Sequence, residues 1–260
     1  MMIKFKELIQ PFGKIAPSTR AIIAGGWIVF FLVLFEVFHS PLVPPPSKIG
    51  SAFIDLIVSE DFWDNFLNSI WTTMKAMVLS IILTMIIVYA STIPLFKVFA
   101  VFTSKCRYLT LTGLVTLFTF LLQGGNMGQL KMSLLIFGIV PYFTTSFLSV
   151  VQSIPQQQID KSYVNRNNSW QTLFEIVIVG RFDQLFEVMR QNFAISWMMI
   201  TMVESLAQSE GGIGVMIVQS NKHLVLAPIF AMLLSVLLIG ILFDWGIRQL
   251  RFKLFPYLKK

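Results

Sequence analysis

Cysteine occurs once in this 260-residue chain, at Cys106, and histidine only at His39 and His223. A single thiol excludes an internal disulfide and leaves no pair to hold a metal. Neither histidine has a Cys or carboxylate at ligand spacing, so no metal or other cofactor is expected on this chain. The sequence has no Gly-Lys-Ser/Thr phosphate-binding loop, which argues against ATP binding of that kind. Gly211-Gly212-Ile213-Gly214 is too short and wrongly placed for a dinucleotide fingerprint. No nucleophile and base stand together as a catalytic set, and an intramembrane enzyme would need convergent titratable groups that the apolar runs do not offer.

Charge is scarce too. Only 13% of residues are Asp, Glu, Lys or Arg, against about 25% in a soluble domain. Hydrophobic residues make up 55%, with 25 Phe and 13 Met, and the mean hydropathy is +0.74. A water-soluble fold would leave much of that apolar surface exposed, whereas lipid as the outer solvent removes the conflict. The net charge of +7 could suggest a nucleic acid. However, the Lys and Arg residues fall between long apolar runs and form no stripe with interleaved aromatics, so no nucleic-acid partner is expected.

The runs predict an all-α, polytopic chain with about six transmembrane helices. A basic tail over 1–20 carries Lys4, Lys6, Lys14 and Arg20, and a membrane domain over 21–260 follows. The first span, 21–38, lacks a small-residue cleavage site and reads as a retained helix. It stops at the Pro41 to Pro46 segment, which cannot continue a helix. Residues 48–68 read as an interfacial helix. Further spans are expected at 69–96, 108–122 (closed by Gly124-Gly125-Asn126), 130–151, 185–206 and 224–247, and the long polar stretch 156–184 lies between two of them. With six spans both termini share a side, which collects sixteen Lys and Arg, including Lys97, Lys105 and Arg107. The other side holds Lys48, Lys131 and Lys222, and Lys75 falls near or within a span. The positive-inside rule therefore puts both termini and the polar stretch in the cytoplasm.

Two features could carry function. Arg190, Trp197 and Glu204 are spaced by seven, which keeps them on one stripe of a helix. Arg190 and Glu204 are roughly 21 Å apart along that axis and cannot pair with each other. Each must reach its own partner or its own membrane surface. Such a stripe fits interfacial anchoring as well as a face turned to the subunit interior or to a pathway. The second feature is the polar stretch, where Ile159 to Tyr163 reads as an amphipathic helix, Asn165 to Ser169 as a break, and Trp170, Leu173 and Phe174 as a second helix. An apolar knob on a polar loop suits a groove on a partner, and a membrane-surface helix suits it equally.

Taken together, these residues resemble the inner-membrane permeases of bacterial ABC importers, specifically the nitrate/sulfonate/taurine branch. Val43-Pro44-Pro45-Pro46-Ser47 resembles the proline-serine segment after that family's first span. Asp160 through Trp170-Gln171 lies where the family carries its EAA loop, which inserts into the ATPase. Arg190, Trp197 and Glu204, followed by Gly211, Gly212 and Gly214, resemble its fifth span and outer glycine turn. Asp244-Trp245 to Arg248, then Arg251 to Tyr257, resembles its basic tail. The similarity is clearest from about 138 to 260. Asp160-Lys161-Ser162 stands where the family has Glu-Ala-Ala, Arg166 where it has Gly, and Val179 where it has Pro. Arginine tolerates φ > 0 poorly, so the loop is expected to turn differently there. The second span also lacks the usual glycines and the third the usual prolines.

The resemblance implies a type I ABC importer permease (MetI-like) fold in the bacterial cytoplasmic membrane. It implies a cytoplasmic ATPase that holds the ATP, a second permease copy making a homodimer, an extracytoplasmic substrate-binding protein and surrounding lipid. It gives Asp160, Ser162, Arg166 and Trp170 the coupling role, and the span of Trp197 and Glu204 the pathway. The substrate would be a small anion or organic solute such as nitrate, sulfonate or taurine, although spans so poor in charge offer an ionic substrate little. A non-transporting membrane scaffold on the same fold is the alternative, motivated by the altered loop.

Overall fold

The computed structural model describes residues 17–37, 44–122 and 126–256, all of whose regular elements are helical. Most of the basic tail, His39, Pro41, Val43, Gly124, Gly125 and the last four residues, Tyr257 among them, lie outside the described residues.

In chain order the helices are α1 (Pro17–Val37), α2 (Pro46–Val58), α3 (Glu60–Ala90), α4 (Pro94–Lys105), α5 (Leu111–Leu121), α6 (Met127–Gln152), α7 (Gln156–Val164), α8 (Ser169–Thr172), α9 (Phe182–Leu206), α10 (Ile213–Lys222) and α11 (Leu226–Leu254). Of these, α1 from Ser18, α3, α6 and α11 are long and apolar enough to cross a membrane. At 25 residues α9 has the length, but it carries more polar side chains.

Local chemistry sets the boundaries. Extended Pro45 puts Pro46 at the first position of α2, where a missing N–H costs nothing. The expected interfacial helix over 48–68 is divided at Ser59, and Glu60 and Asp61 open α3 where the helix dipole favours acids. The span expected to reach residue 96 ends at Ala90. Ser91 and Thr92 hydroxyls donate to the Val88 and Tyr89 carbonyls, and Pro94 begins α4.

Helix α6 is the centre of the bundle and packs against α3, α4, α5 and α9. Over residues 69–84 the buried face of α3 is mostly small and hydroxylated, with Ser69, Thr73, Ala76, Ser80 and Thr84 beside Met77. Such residues let two helices approach closely where lipid gives no hydrophobic drive. Against them stand Leu134, Leu135, Ile139, Phe143 and Phe147 of α6, with Phe193, Ile200 and Val203 of α9. Pro141 lies inside α6, and the Thr145 hydroxyl donates to its carbonyl at 2.8 Å.

Around α4 and α5 the structure departs from the expected span at 108–122. Helix α5 has 11 residues, about 16 Å, roughly half the length needed to cross. Helix α4 starts near the α6 end at Val151 and Ile154. It passes Thr145, whose hydroxyl reaches the Ser104 carbonyl at 3.3 Å. The chain then breaks in a 3₁₀ turn, Cys106–Tyr108, beside Phe137, Gly138 and Tyr142. From there α5 continues, with Phe118 edge-on to Phe137 at 5.6 Å. One route is thus divided into two half-length helices. Arg107, expected with Lys105 in a loop at the end of the bundle, stands beside Phe137, Gly138 and Tyr142 near the middle of α6 instead. Charged residues within a divided helix look like a loop to any hydropathy window.

Helix α1 is apolar all round and none of its span is buried. It is tied to α2 where Ser47 donates its hydroxyl to Glu36 at 3.1 Å. A helix of this kind asks for lipid or another helix as its surroundings.

Candidate functional site

Glu204, two residues from the end of α9, is wholly buried. Lys131 of α6, 3% exposed, pairs with it at 2.9 Å. The Ser69 hydroxyl of α3 lies 2.8 and 2.9 Å from the two carboxylate oxygens, and the Gly214 N–H donates to Oε2 at 3.0 Å. Ser69 Oγ in turn accepts the Ile213 N–H at 3.0 Å, and Lys131 Nζ also reaches the Gly211 carbonyl at 3.3 Å. The carboxylate therefore sits at the N-terminal end of α10, whose orphan N–H groups favour an anion. Side chains from three long helices and the glycine turn close on a single charge pair.

The turn demands its glycines. Gly212 has φ 117, a conformation hard for any L side chain, and a Cβ there would overlap the Glu204 carboxylate. A Cβ on Gly214 would overlap the Thr201 carbonyl oxygen and the Glu204 Cβ. Gly211 precedes them, and the Gly212 N–H donates to Asn65 Oδ1 at 2.6 Å. The predicted residues Gly211, Gly212, Gly214 and Glu204 are thus brought into one assembly.

Trp197 is buried one layer away, its indole N–H donating to the Val236 carbonyl at 2.9 Å and its ring stacked on Phe193 at 6.2 Å. Arg190 pairs with Glu187 and Asp244, each at 2.6 Å, and Arg251 reaches Glu187 at 2.6 Å. This half-exposed network ties α9 to α11 at the end opposite Glu204. Arg190, Trp197 and Glu204 share a helix face and have separate partners; the structure does not bring them into one site. The sequence reading put Lys131 at the outer end of a span and did not pair it with Glu204. The available signal was an unmatched Lys and an unmatched Glu near the same end of two apolar helices.

The stretch after α6 is a compact two-helix unit. Helix α7 ends in a Schellman turn: the Asn167 N–H reaches the Ser162 carbonyl at 3.2 Å and the Arg166 N–H the Tyr163 carbonyl at 2.9 Å. Arg166 has φ 61. The expected departure does not occur: the chain takes the left-handed turn with an arginine. A capping box of Asn168 and Gln171 starts α8, which winds on through a π-helical segment, Leu173–Val179, to Gly180. Ser162 is buried against the Thr172 hydroxyl at 3.0 Å, and the Asn167 amide bridges Ser162 and Glu175 at 3.0 and 2.7 Å. Asp160 is exposed and accepts from Gln156 at 3.1 Å. Trp170 is 66% exposed, and Tyr163 and Phe174 are exposed as well. Beneath Trp170 a mostly apolar cleft of about 430 Å³ separates the unit from the α3–α4 elbow and the end of α6.

Arg166→Gly is expected to keep this turn and to leave stability unchanged or raised by up to about 1 kcal/mol. Arg166→Val is expected to lower it by about 1–2 kcal/mol, because β-branching disfavours φ > 0. Thermal unfolding of the detergent-solubilised variants reads both.

Residues 65–255 match the family of binding-protein-dependent transport system inner membrane components. The chain belongs to this family. The match takes in the glycine turn, the buried ion pair, the divided α4–α5 route and the two-helix unit, and leaves out α1 and α2. The permease is therefore the membrane subunit of an ABC importer, of a family that generally works with an ATPase and a substrate-binding protein. No curated protein matches the permease closely enough to add a substrate.

Proposed function

We propose that the permease forms half of a substrate path and is driven by a separate cytoplasmic ATPase that docks on the α7–α8 unit. The observation that carries this reading is the rigid loop with exposed aromatics: Trp170, Tyr163 and Phe174 are each about half exposed or more while Ser162, Asn167, Thr172 and Glu175 lock the unit from within. A partner pushing on such a unit moves it as a body. The retained left-handed turn at Arg166 supports a working coupling loop and weakens the motive for a scaffold reading.

In this reading the chain crosses the bacterial cytoplasmic membrane six times, through α1, α3, the divided α4–α5 pair, α6, α9 and α11. The α7–α8 unit and both termini are cytoplasmic, in line with the basic residues that gather at that end. A second copy completes the path, the uncovered faces of α1 and α4 turn to lipid or to that copy, and a binding protein delivers substrate near α10. The Glu204–Lys131 lock holds α3, α6, α9 and α10 together at the outer end, so motion delivered at the loop rotates them as a unit. The substrate is a small anion or organic solute of the nitrate, sulfonate or taurine kind.

Co-purification from mild detergent tests the docking. A nucleotide-binding ATPase is expected to accompany the native chain. Trp170→Ala is expected to weaken its retention by about 2 kcal/mol, roughly 30-fold, as loss of an interface anchor does. Arg166→Glu is expected to weaken it as well. Absence of any ATPase from the native chain, with variants that change nothing, would leave a scaffold or orphan subunit.

A further inference from the structure

We propose that α3 and α6 slide on each other during transport, along a seam where Ser80, Thr84 and Thr144 gain hydrogen-bond partners only in the shifted state. The proposal rests on the permease reading and says where in the bundle the motion of the α7–α8 unit goes.

The hydroxyls are the first argument. Among the described residues, Ser80 and Thr84 of α3 and Thr144 of α6 are at most 2% exposed, and none of the three hydroxyls has a hydrogen-bond partner. Most buried polar side-chain atoms are paired, because an unpaired one loses its water without compensation. The usual remedy inside a helix is the carbonyl four residues back. Ser69, Thr73, Ser196 and Ser235, also buried, all donate to it. Ser80, Thr84 and Thr144 do not.

Position is the second. Ser69 and Lys131 meet on the Glu204 carboxylate, which sets one common level of α3 and α6. Tyr89 meets Phe147 edge-on at 5.7 Å, which sets another. The two helices therefore run parallel. Counted from the Glu204 level, Ser80 and Thr84 lie roughly 17 and 23 Å along α3, and Thr144 roughly 20 Å along α6. Thr144 is also one turn before Phe147, on the same face. All three hydroxyls thus fall in one stretch of the α3–α6 contact. Among the described residues no side-chain hydrogen bond or ion pair joins α3 directly to α6, so nothing polar resists sliding there.

Room to move is the third. Beyond this stretch α3 runs into the elbow at Thr92, Ile93 and Pro94, which borders the cleft of about 430 Å³ beneath Trp170. A push on the α7–α8 unit meets the elbow across that cleft, while the Lys131–Glu204 pair pins the opposite end. The far half of α3 then shifts against α6, in addition to the rotation of the locked end. Packed helices commonly shift by about 1–2 Å in switching. That is enough, because a hydroxyl bond is made at about 2.8 Å and absent at about 3.6 Å.

The full complex with ATPase and binding protein, in detergent and in proteoliposomes, tests the seam. Thr84→Val and Thr144→Val keep the side-chain shape and delete the hydroxyl. Each is expected to raise the unfolding midpoint by about 2–4 °C, because an unpaired buried group is removed. Each is also expected to cut stimulation of ATP hydrolysis by loaded binding protein about fivefold, as loss of one hydrogen bond in the shifted state does. Thr84→Ser keeps the hydroxyl and is expected to retain native stimulation. A lower midpoint in both valine variants would overturn the proposal, because the hydroxyls would then already be paired through water. Native stimulation in both would overturn it too, because the seam would then be static. A native complex that retains no ATPase overturns the permease reading along with the seam, so the two failures are distinguishable.

Discussion

Lys131→Met is expected to destabilise the permease by about 3–5 kcal/mol, because it strands a wholly buried carboxylate without its countercharge. Glu204 has no exposure, and the Ser69 hydroxyl and Gly214 N–H that also reach it are neutral donors. Domain stabilities are only about 5–15 kcal/mol, so the variant should accumulate poorly and unfold early in detergent. Glu204→Gln alone should do comparable damage by stranding the lysine. The double variant Lys131→Met/Glu204→Gln removes both charges and keeps an oxygen for Ser69 and Gly214, so most of the loss should return. A thermal-unfolding cycle over the four proteins checks this. Additive losses in the double variant would mean that the two charges are not energetically coupled.

Gly214→Ala carries the second large expected effect. The new Cβ would strike the backbone carbonyl of Thr201, which cannot rotate away as a side chain can. Helices α9 and α10 would have to separate, pulling the Gly214 N–H from Glu204. A loss of about 3 kcal/mol is expected, at the upper end for overpacking. Gly246→Ala is the control, since nothing lies within 4 Å of its Cβ position in α11. There the better helix former should leave stability unchanged or raise it by up to about 1 kcal/mol. Unfolding midpoints in one detergent compare the pair.

The sequence predicted those parts of the fold that depend on local averages. Long apolar runs placed α1, α6 and α11, and the polar stretch placed the α7–α8 unit. The aromatic face of that unit was legible because Trp170 and Phe174 stand out in a polar neighbourhood. What escaped depends on pairing across the chain. Lys131 and Glu204 are remote in sequence, and only the packing of α3, α6 and α9 brings them together. The α4–α5 break escaped because its basic residues made the turn Cys106–Tyr108, beside Phe137 and Gly138 of α6, read as a loop at the end of the bundle. Arg166 was misjudged in another way. Its residue type disfavours a left-handed turn, but the two Schellman hydrogen bonds and the Asn167 bridge hold one in place. Glu204 and the glycines were picked out individually, while the geometry that joins them was not.

The most direct test of the account is ATP hydrolysis by the permease reconstituted with its ATPase and binding protein, with and without substrate-loaded binding protein. Stimulation by the loaded binding protein in the native complex, and its loss in Trp170→Ala with hydrolysis by the isolated ATPase unchanged, is the predicted result. A complex that assembles fully and hydrolyses ATP at one rate whatever is added would contradict it, and would make this chain a membrane scaffold.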